Sequence, residues 1–207
     1  MEEIDDFVNE LENAGATCPG TSEKLYERRS REGHIRRHNL RLYLEQMKAL
    51  KPEILMLGEA PGYRGCRLTG VPFTSERILK THPFFRTENY QFINPENYLM
   101  SEQSATIIWN ELNNLKIKPL IWNIFPFHPF KGSEVMTNRT PDEEELNFGK
   151  QVLLKLLDIF PVSKIAAIGR KAELKLREMN LDHAYVRHPA NGGKQKFVEG
   201  MKKIKSL

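Results

Sequence analysis

The chain has 207 residues, 40% of them hydrophobic and 28% charged, with a formal net charge of +4 from 31 Lys+Arg against 27 Asp+Glu. A chain of this length buries around 70% of the surface its unfolded form exposes, and its composition excludes collagenous, low-complexity and disordered classes. Its two cysteines, Cys18 and Cys66, exclude a disulfide scaffold and a four-thiolate zinc or iron–sulfur site within one chain. No apolar run approaches the ~20 residues that span a bilayer, and the start Met1-Glu2-Glu3-Ile4-Asp5-Asp6 is acidic where a signal or transit peptide is basic. The expectation is a soluble intracellular protein, cytoplasmic in a prokaryote or nuclear in a eukaryote, and not secreted.

In chain order, Ile4, Phe7, Val8 and Leu11 recur at helical spacing over residues 3–13, with acids in the first turn and Gly15 as the expected stop. A second, basic helix is predicted over 34–49, ended by Lys51-Pro52. Glu53–Gly58 reads as a short strand buried on both faces. Residues 103–115 are predicted helical and Pro119–Ile124 a second buried strand. Thr140-Pro141-Asp142-Glu143-Glu144 reads as a helix start with a Thr cap, the helix running to about Phe160. Lys164–Gly169 is a third strand, 170–179 a helix, Ala184–Arg187 a fourth strand, and Lys194–Lys205 a closing basic helix.

Short apolar strands alternating with helices predict an α/β fold: a three-layer α/β/α sandwich around a central, mainly parallel four-stranded sheet. Residues 1–207 read as a single domain, with 1–50 a helical N-terminal cover and 51–207 the α/β core. Charge is segregated along it. Residues 1–22 carry six carboxylates and no base, 23–51 nine bases against four acids, and 151–207 twelve bases against five acids. Such segregation suits a polyanion-binding face, and a solvated basic helix surface is the plainer account.

In parallel sheets ligands bind beyond the carboxyl ends of the strands, and there the polar and glycine-rich segments fall: Gly58-Glu59-Ala60-Pro61-Gly62, Asn123, Gly169-Arg170-Lys171, and His188-Pro189-Ala190-Asn191-Gly192-Gly193. The first segment lacks both the P-loop Gly-Lys-Ser/Thr ending and the GxGxxG pattern. Glu59 either holds a water, acts as a base or is a structural acceptor. Asn123 offers a donor and an acceptor together, or caps a turn. Phe73, in Gly70-Val71-Pro72-Phe73-Thr74-Ser75, is a core residue or a stacking surface for a base. A histidine after a strand, His188, is structural or donates to developing negative charge.

Taken in order, these pieces resemble the uracil-DNA glycosylase superfamily. GEAPG at 58–62 matches the first motif of its archaeal-and-bacterial, thermostable branch, GVPFTS at 70–75 looks like the segment supplying the base-stacking aromatic, and HPANGG at 188–193 looks like the second motif. Phe73 lies 50 positions before Asn123, and Asn123 lies 65 before His188; the resemblance covers about residues 50–205.

The resemblance implies a monofunctional DNA glycosylase that excises uracil, or a related deaminated base, from DNA in base excision repair. Phe73, Asn123, Gly58 and Ala60 are the implied base-binding residues, and His188 and Glu59 the catalytic ones. Pro61, Gly62, Pro189, Gly192, Gly193 and Lys194 are the implied phosphate contacts. The implied partner is uracil-containing DNA, with no membrane, and the protein is expected to be a monomer. The related branch binds a four-iron cluster through four cysteines; with two here, no cluster, metal or other cofactor is expected. Ala60 stands where well-known relatives have a water-activating aspartate. Asn191 and Gln195 are candidates to fill the gap left by an everted base. On the residues alone, a catalytically inactive nucleic-acid-binding module of the same fold, or an α/β enzyme of free nucleotides, remains open.

Overall fold

The protein is described here by a computed structural model covering residues 2–86 and 89–206. It begins with helix α1 (Glu2–Thr17), strand β1 (Ser22–Glu23) and helix α2 (Arg31–Leu50). Strand β2 (Ile54–Gly58) and the short helices α3 (Cys66–Thr69) and α4 (Glu76–Thr81) come next, then α5 (Gln103–Leu115), β3 (Leu120–Asn123) and β4 (His128–Pro129). The chain continues through α6 (Glu143–Ile159), β5 (Lys164–Ile168), α7 (Arg170–Glu178), β6 (Ala184–Val186) and α8 (Lys194–Ser206). Among the described residues, no helix is long and apolar enough to cross a membrane.

Four strands form one sheet in the order β3-β2-β5-β6, and every pairing is parallel. Helices flank it in a three-layer α/β/α sandwich. All residues of β2 and β3 are buried, which is why these strands are apolar without alternation. Leu55, Met56, Leu57, Ile121 and Ala166 are fully enclosed, and each large apolar side chain so buried contributes about 1.5–3 kcal/mol. Helix α2 covers the exposed edge of β3: the buried Tyr43 hydroxyl accepts the Ile121 N–H at 2.7 Å, so the edge strand does not offer that donor to another chain. Phe7 of α1 packs edge-on against Trp122, 5.6 Å between centroids.

The N-terminal charge segregation is resolved inside the fold. Arg28 and Arg37 both reach Glu12, at 2.5 and 2.9 Å, Arg41 pairs with Asp5, and Arg36 and Arg67 share Glu23 at 2.7 and 2.5 Å. The acids of α1 and β1 therefore neutralise arginines of α2, of α3 and of the segment leading into α2, and these arginines are not a free polyanion surface.

Two expected boundaries move. Gly15 does not stop α1, which runs on to Thr17 with Gly15 buried inside it. The cap of α6 is Asp142 and not Thr140: Asp142 accepts the Glu145 N–H while Glu145 accepts the Asp142 N–H, a reciprocal pair that satisfies two end donors at once. That leaves the Thr140 hydroxyl free for another partner. Residues 59–102, which the hydrophobic pattern left without elements, hold α3, α4 and two 3-10 turns, Pro83–Phe85 and Glu96–Tyr98.

This irregular segment is pinned by Glu76, fully buried at the start of α4. One carboxylate oxygen accepts the N–H groups of Ile93 and Asn94 at 3.1 and 2.9 Å, and the other those of Asn94 Nδ2 and Met100 at 2.8 and 3.1 Å. No apolar contact could replace four charge-assisted bonds to loop backbone and amide. Glu76→Gln puts an amide donor against donors and is expected to lower unfolding free energy by about 2–3 kcal/mol; a urea midpoint equal to that of the unaltered protein would contradict this anchoring role.

Candidate active site

A cavity of about 620 Å³ opens at the carboxyl edge of the sheet. Its wall is built from the strand ends and the turns leaving them: Glu59, Ala60, Pro61 and Gly62 after β2, Asn123 at the end of β3, Gly169-Arg170-Lys171 after β5, and His188 after β6. Phe73 joins them from the loop between α3 and α4.

Phe73 is held in an unusual backbone conformation, φ +49°, a region that a bulky side chain enters only at a cost of about 1–3 kcal/mol. Its neighbours enforce it. The Thr69 hydroxyl accepts the Val71 N–H at 3.1 Å and donates to the Thr74 carbonyl at 2.9 Å. The Trp109 indole N–H donates to the Phe73 carbonyl at 3.1 Å. The ring then lies on Gly58: a Cβ there would come within 2.2 Å of it. The same absent Cβ would sit 2.8 Å from the Asn123 amide oxygen, because β2 and β3 pair with Gly58 level with Asn123. Glycine at 58 is what lets the aromatic ring and the amide meet. The Asn123 oxygen is buried and has no hydrogen-bond partner among the described residues, a state that costs about 1–3 kcal/mol unless a ligand donates to it.

The imidazole of His188 lies 6.0 Å from the Phe73 ring, centroid to centroid, and tilted 38° to it, so the two share one hollow. Burial, with Arg187 adjacent, pushes the His188 pKa below the ordinary histidine value. Its Nδ1 accepts the Ala190 N–H at 3.2 Å. A neutral ring that accepts at Nδ1 carries its proton on Nε2, so His188 is a neutral donor at its other nitrogen. Burial raises the Glu59 carboxyl, opposed by a hydrogen bond from Thr140, the residue released from capping, and by Lys171.

The remaining expected contacts divide. Pro61 and Gly62 line the cavity. Pro189, Gly192 and Gly193 are not in its wall but shape the turn behind His188, where Asn191 and Gly192 both take positive φ and the Gly193 N–H closes on the Ala190 carbonyl at 3.1 Å. Lys194 reaches Glu111 on α5 at 2.8 Å and does not line the cavity. Cations at the mouth come from elsewhere: Arg64, whose guanidinium lies 5.3 Å over the Tyr63 ring, Lys171 and Arg187.

Sequence reasoning missed Glu102 and Ser104. Burial raises the Glu102 carboxyl, which accepts the Ser104 hydroxyl and lies against the turn after Gly62; a Cβ on Gly65 would stand 2.0 Å from its Oε2. The only available signal, an acid just ahead of a predicted helix, reads as an ordinary first-turn charge.

A family model described as the Uracil DNA glycosylase superfamily matches residues 24–203. The chain belongs to that superfamily. Among solved structures, the crystal structure of wild-type Pedobacter heparinus SMUG2 is similar to it, with a TM-score of 0.66 at 18% identity over 97% of this chain and 96% of that one. At that identity the likeness speaks for the fold. No curated protein matches the sequence. In a uracil DNA glycosylase superfamily member, the meeting of Phe73, Asn123 and His188 at one cavity marks the place to look for its chemistry.

Titration of ¹⁵N-histidine-labelled protein should give a His188 midpoint below the unperturbed ~6.5, with the Nε2–H tautomer above it. A midpoint above 6.5, or a proton on Nδ1, would remove the neutral-donor assignment.

Proposed function

We propose that this chain is a monofunctional DNA glycosylase hydrolysing the N-glycosidic bond of uracil, or of a related deaminated base, everted from DNA in base excision repair. The observation carrying this reading is the buried, unpartnered Asn123 oxygen that shares the space over Gly58 with the Phe73 ring: an acceptor prepared for a planar ring that brings its own N–H. Residues 1–207 then act as one domain and as a monomer, the N-terminal helices covering the sheet.

The chemistry proceeds in steps. C1′ of a stacked nucleotide is out of reach, so the nucleotide must leave the duplex, at roughly a few kcal/mol of lost stacking. Phe73 stacks on the everted base. Asn123 Oδ1 accepts the uracil N3–H while Nδ2 donates to O4; cytosine presents a lone pair at N3 and an amine at C4, so both contacts turn repulsive. As the C1′–N1 bond lengthens, the sugar becomes cationic and the base anionic. His188 Nε2–H donates to the base oxygen as that charge grows, and one such donor is worth about 3 kcal/mol. Glu59, with Ala60 beside it unable to help, holds the water that captures the sugar cation. Pro61, Gly62 and the 188–193 turn approach the phosphates through backbone, with Arg64, Lys171 and Arg187 supplying charge at the mouth.

Three measurements test this. A labelled uracil-containing oligonucleotide incubated with the protein, then treated with alkali, should break at the uracil; intact strands for uracil and for other deaminated bases at high enzyme concentration would overturn the reading in favour of a silent binding module. His188→Ala should slow excision about 100-fold or more with DNA affinity nearly unchanged, and equal losses in both would deny its role as donor. Asn123→Asp should alter the preference among cytosine, uracil and thymine; an unchanged ranking would refute its part in base choice.

A further inference from the structure

His128 is used by none of the steps above. It is fully buried on β4, level with Glu23 in the small antiparallel β1–β4 ladder, its ring stacked on Phe130 at 6.1 Å. Nδ1 lies 2.8 Å from the Pro61 carbonyl oxygen and Nε2 lies 3.0 Å from that of Val135. A backbone carbonyl only accepts, and a neutral imidazole carries one N–H. Both contacts are therefore hydrogen bonds only when the ring holds two protons. In the neutral ring, one nitrogen lone pair faces a carbonyl lone pair.

One carbonyl belongs to a wall of the cavity and the other to the segment that runs into a second wall. Pro61 sits in the turn after β2; Val135 lies in the segment that leads to Asn138, Arg139 and Thr140, all at the cavity. The same walls are joined by Tyr63 N–H donating to Asn138 Oδ1 at 3.0 Å and by Thr140 to Glu59. We propose that His128 is a positioning residue for nucleic-acid binding: doubly protonated, it clamps the turn at Pro61 to the segment at Val135, and neutral, it releases one of them. The proposal rests on the reading that this cavity takes DNA, but not on uracil being the base removed.

The charges facing His128 set the direction. The Glu23 carboxylate of β1, itself shared by Arg36 of α2 and Arg67 of α3, favours the imidazolium, as do the two carbonyls; Arg67 opposes it. Burial opposes it most, leaving His128 below the ordinary histidine value. The second proton thus arrives on the acid side of ~6.5, and the clamp tightens as pH falls. DNA that binds the clamped walls better than the released ones favours that proton. By linkage, protonation must then tighten DNA binding by the same factor by which DNA favours protonation.

The test uses the full chain and a uracil-free duplex oligonucleotide. Ring ¹⁵N–¹H spectra of His128 between pH 8 and 5 should show one N–H at the alkaline end and two at the acid end, with the midpoint displaced upward when DNA is bound. DNA affinity at fixed salt should rise several-fold over that range, and His128→Gln, which has no titrating group, should lose that part of the rise. A single tautomer throughout, a midpoint that DNA leaves unmoved, or an equal rise in the variant overturns the proposal. Should the variant fail to fold, the spectra of the unaltered protein decide alone. A protein that shows the clamp yet leaves uracil and the other deaminated bases in place would sink the glycosylase reading and keep this one.

Discussion

One register governs the site: β2 and β3 run parallel with Gly58 opposite Asn123. Side chains alternate along a strand, so a slip of one residue would turn Asn123 into the core and Trp122 toward the cavity. The register is held by burial on both faces, since every residue of these strands is enclosed and a slip would take Trp122 away from its packing against Phe7. With Asn123 so placed, the absence of a side chain at 58 decides how closely the Phe73 ring can approach, and the strained backbone at Phe73 is the cost of pointing the ring there. The bonds from Thr69 and Trp109 offset that cost locally, so the strain is contained within the loop between α3 and α4.

Electrostatics obey a similar division. The arginine-rich stretch looks in the sequence like a binding surface, yet Arg28, Arg36, Arg37 and Arg41 answer acids of the first 23 residues. The partners are distant in sequence but adjacent once α1 and β1 lie against α2 and the segment leading into it, so their effect is to fasten the N-terminal elements, not to present charge. The cations left facing the cavity are fewer and come from strand ends and the turn after Gly62: Arg64, Lys171 and Arg187. Total charge and run length are poor guides here, because pairing is a property of the folded surface.

The same distinction explains what could be read from residues alone. The four sheet strands, helices α1, α2 and α5–α8 and the positions of Gly58, Asn123 and His188 are written locally, as apolar runs that end in turn-forming or polar residues; Phe73 is legible only through the resemblance of its motif. Parallel topology then carries those ends to one edge without further information. The residues that escaped are those whose meaning is a partner far along the chain. Glu102 meets the turn at Gly65, His128 meets Pro61 across 67 positions, and Thr140 serves Glu59 only because Asp142 took over the cap. The β1–β4 ladder is two residues long, too short for any periodicity to announce it. Lys194 shows the converse: a basic residue beside a motif looks like a phosphate contact, and in the fold it pairs with Glu111 of α5 outside the cavity wall.

Three titratable groups of the cavity wall are biased toward their uncharged forms. Burial lowers His188 and raises Glu59 and Glu102, each shift disfavouring a charge that water would otherwise solvate. In the proposed reaction this arrangement has a purpose beyond solvation. A cationic histidine would attract the departing base before cleavage as well as after it and would bind any anion in the pocket. A neutral N–H interacts weakly with a neutral base and strongly with an anionic one, so its benefit is concentrated in the transition state, where it raises the rate instead of merely tightening binding. The fixed cations stand at the mouth, where the phosphates remain charged throughout and uniform attraction is what holding DNA requires.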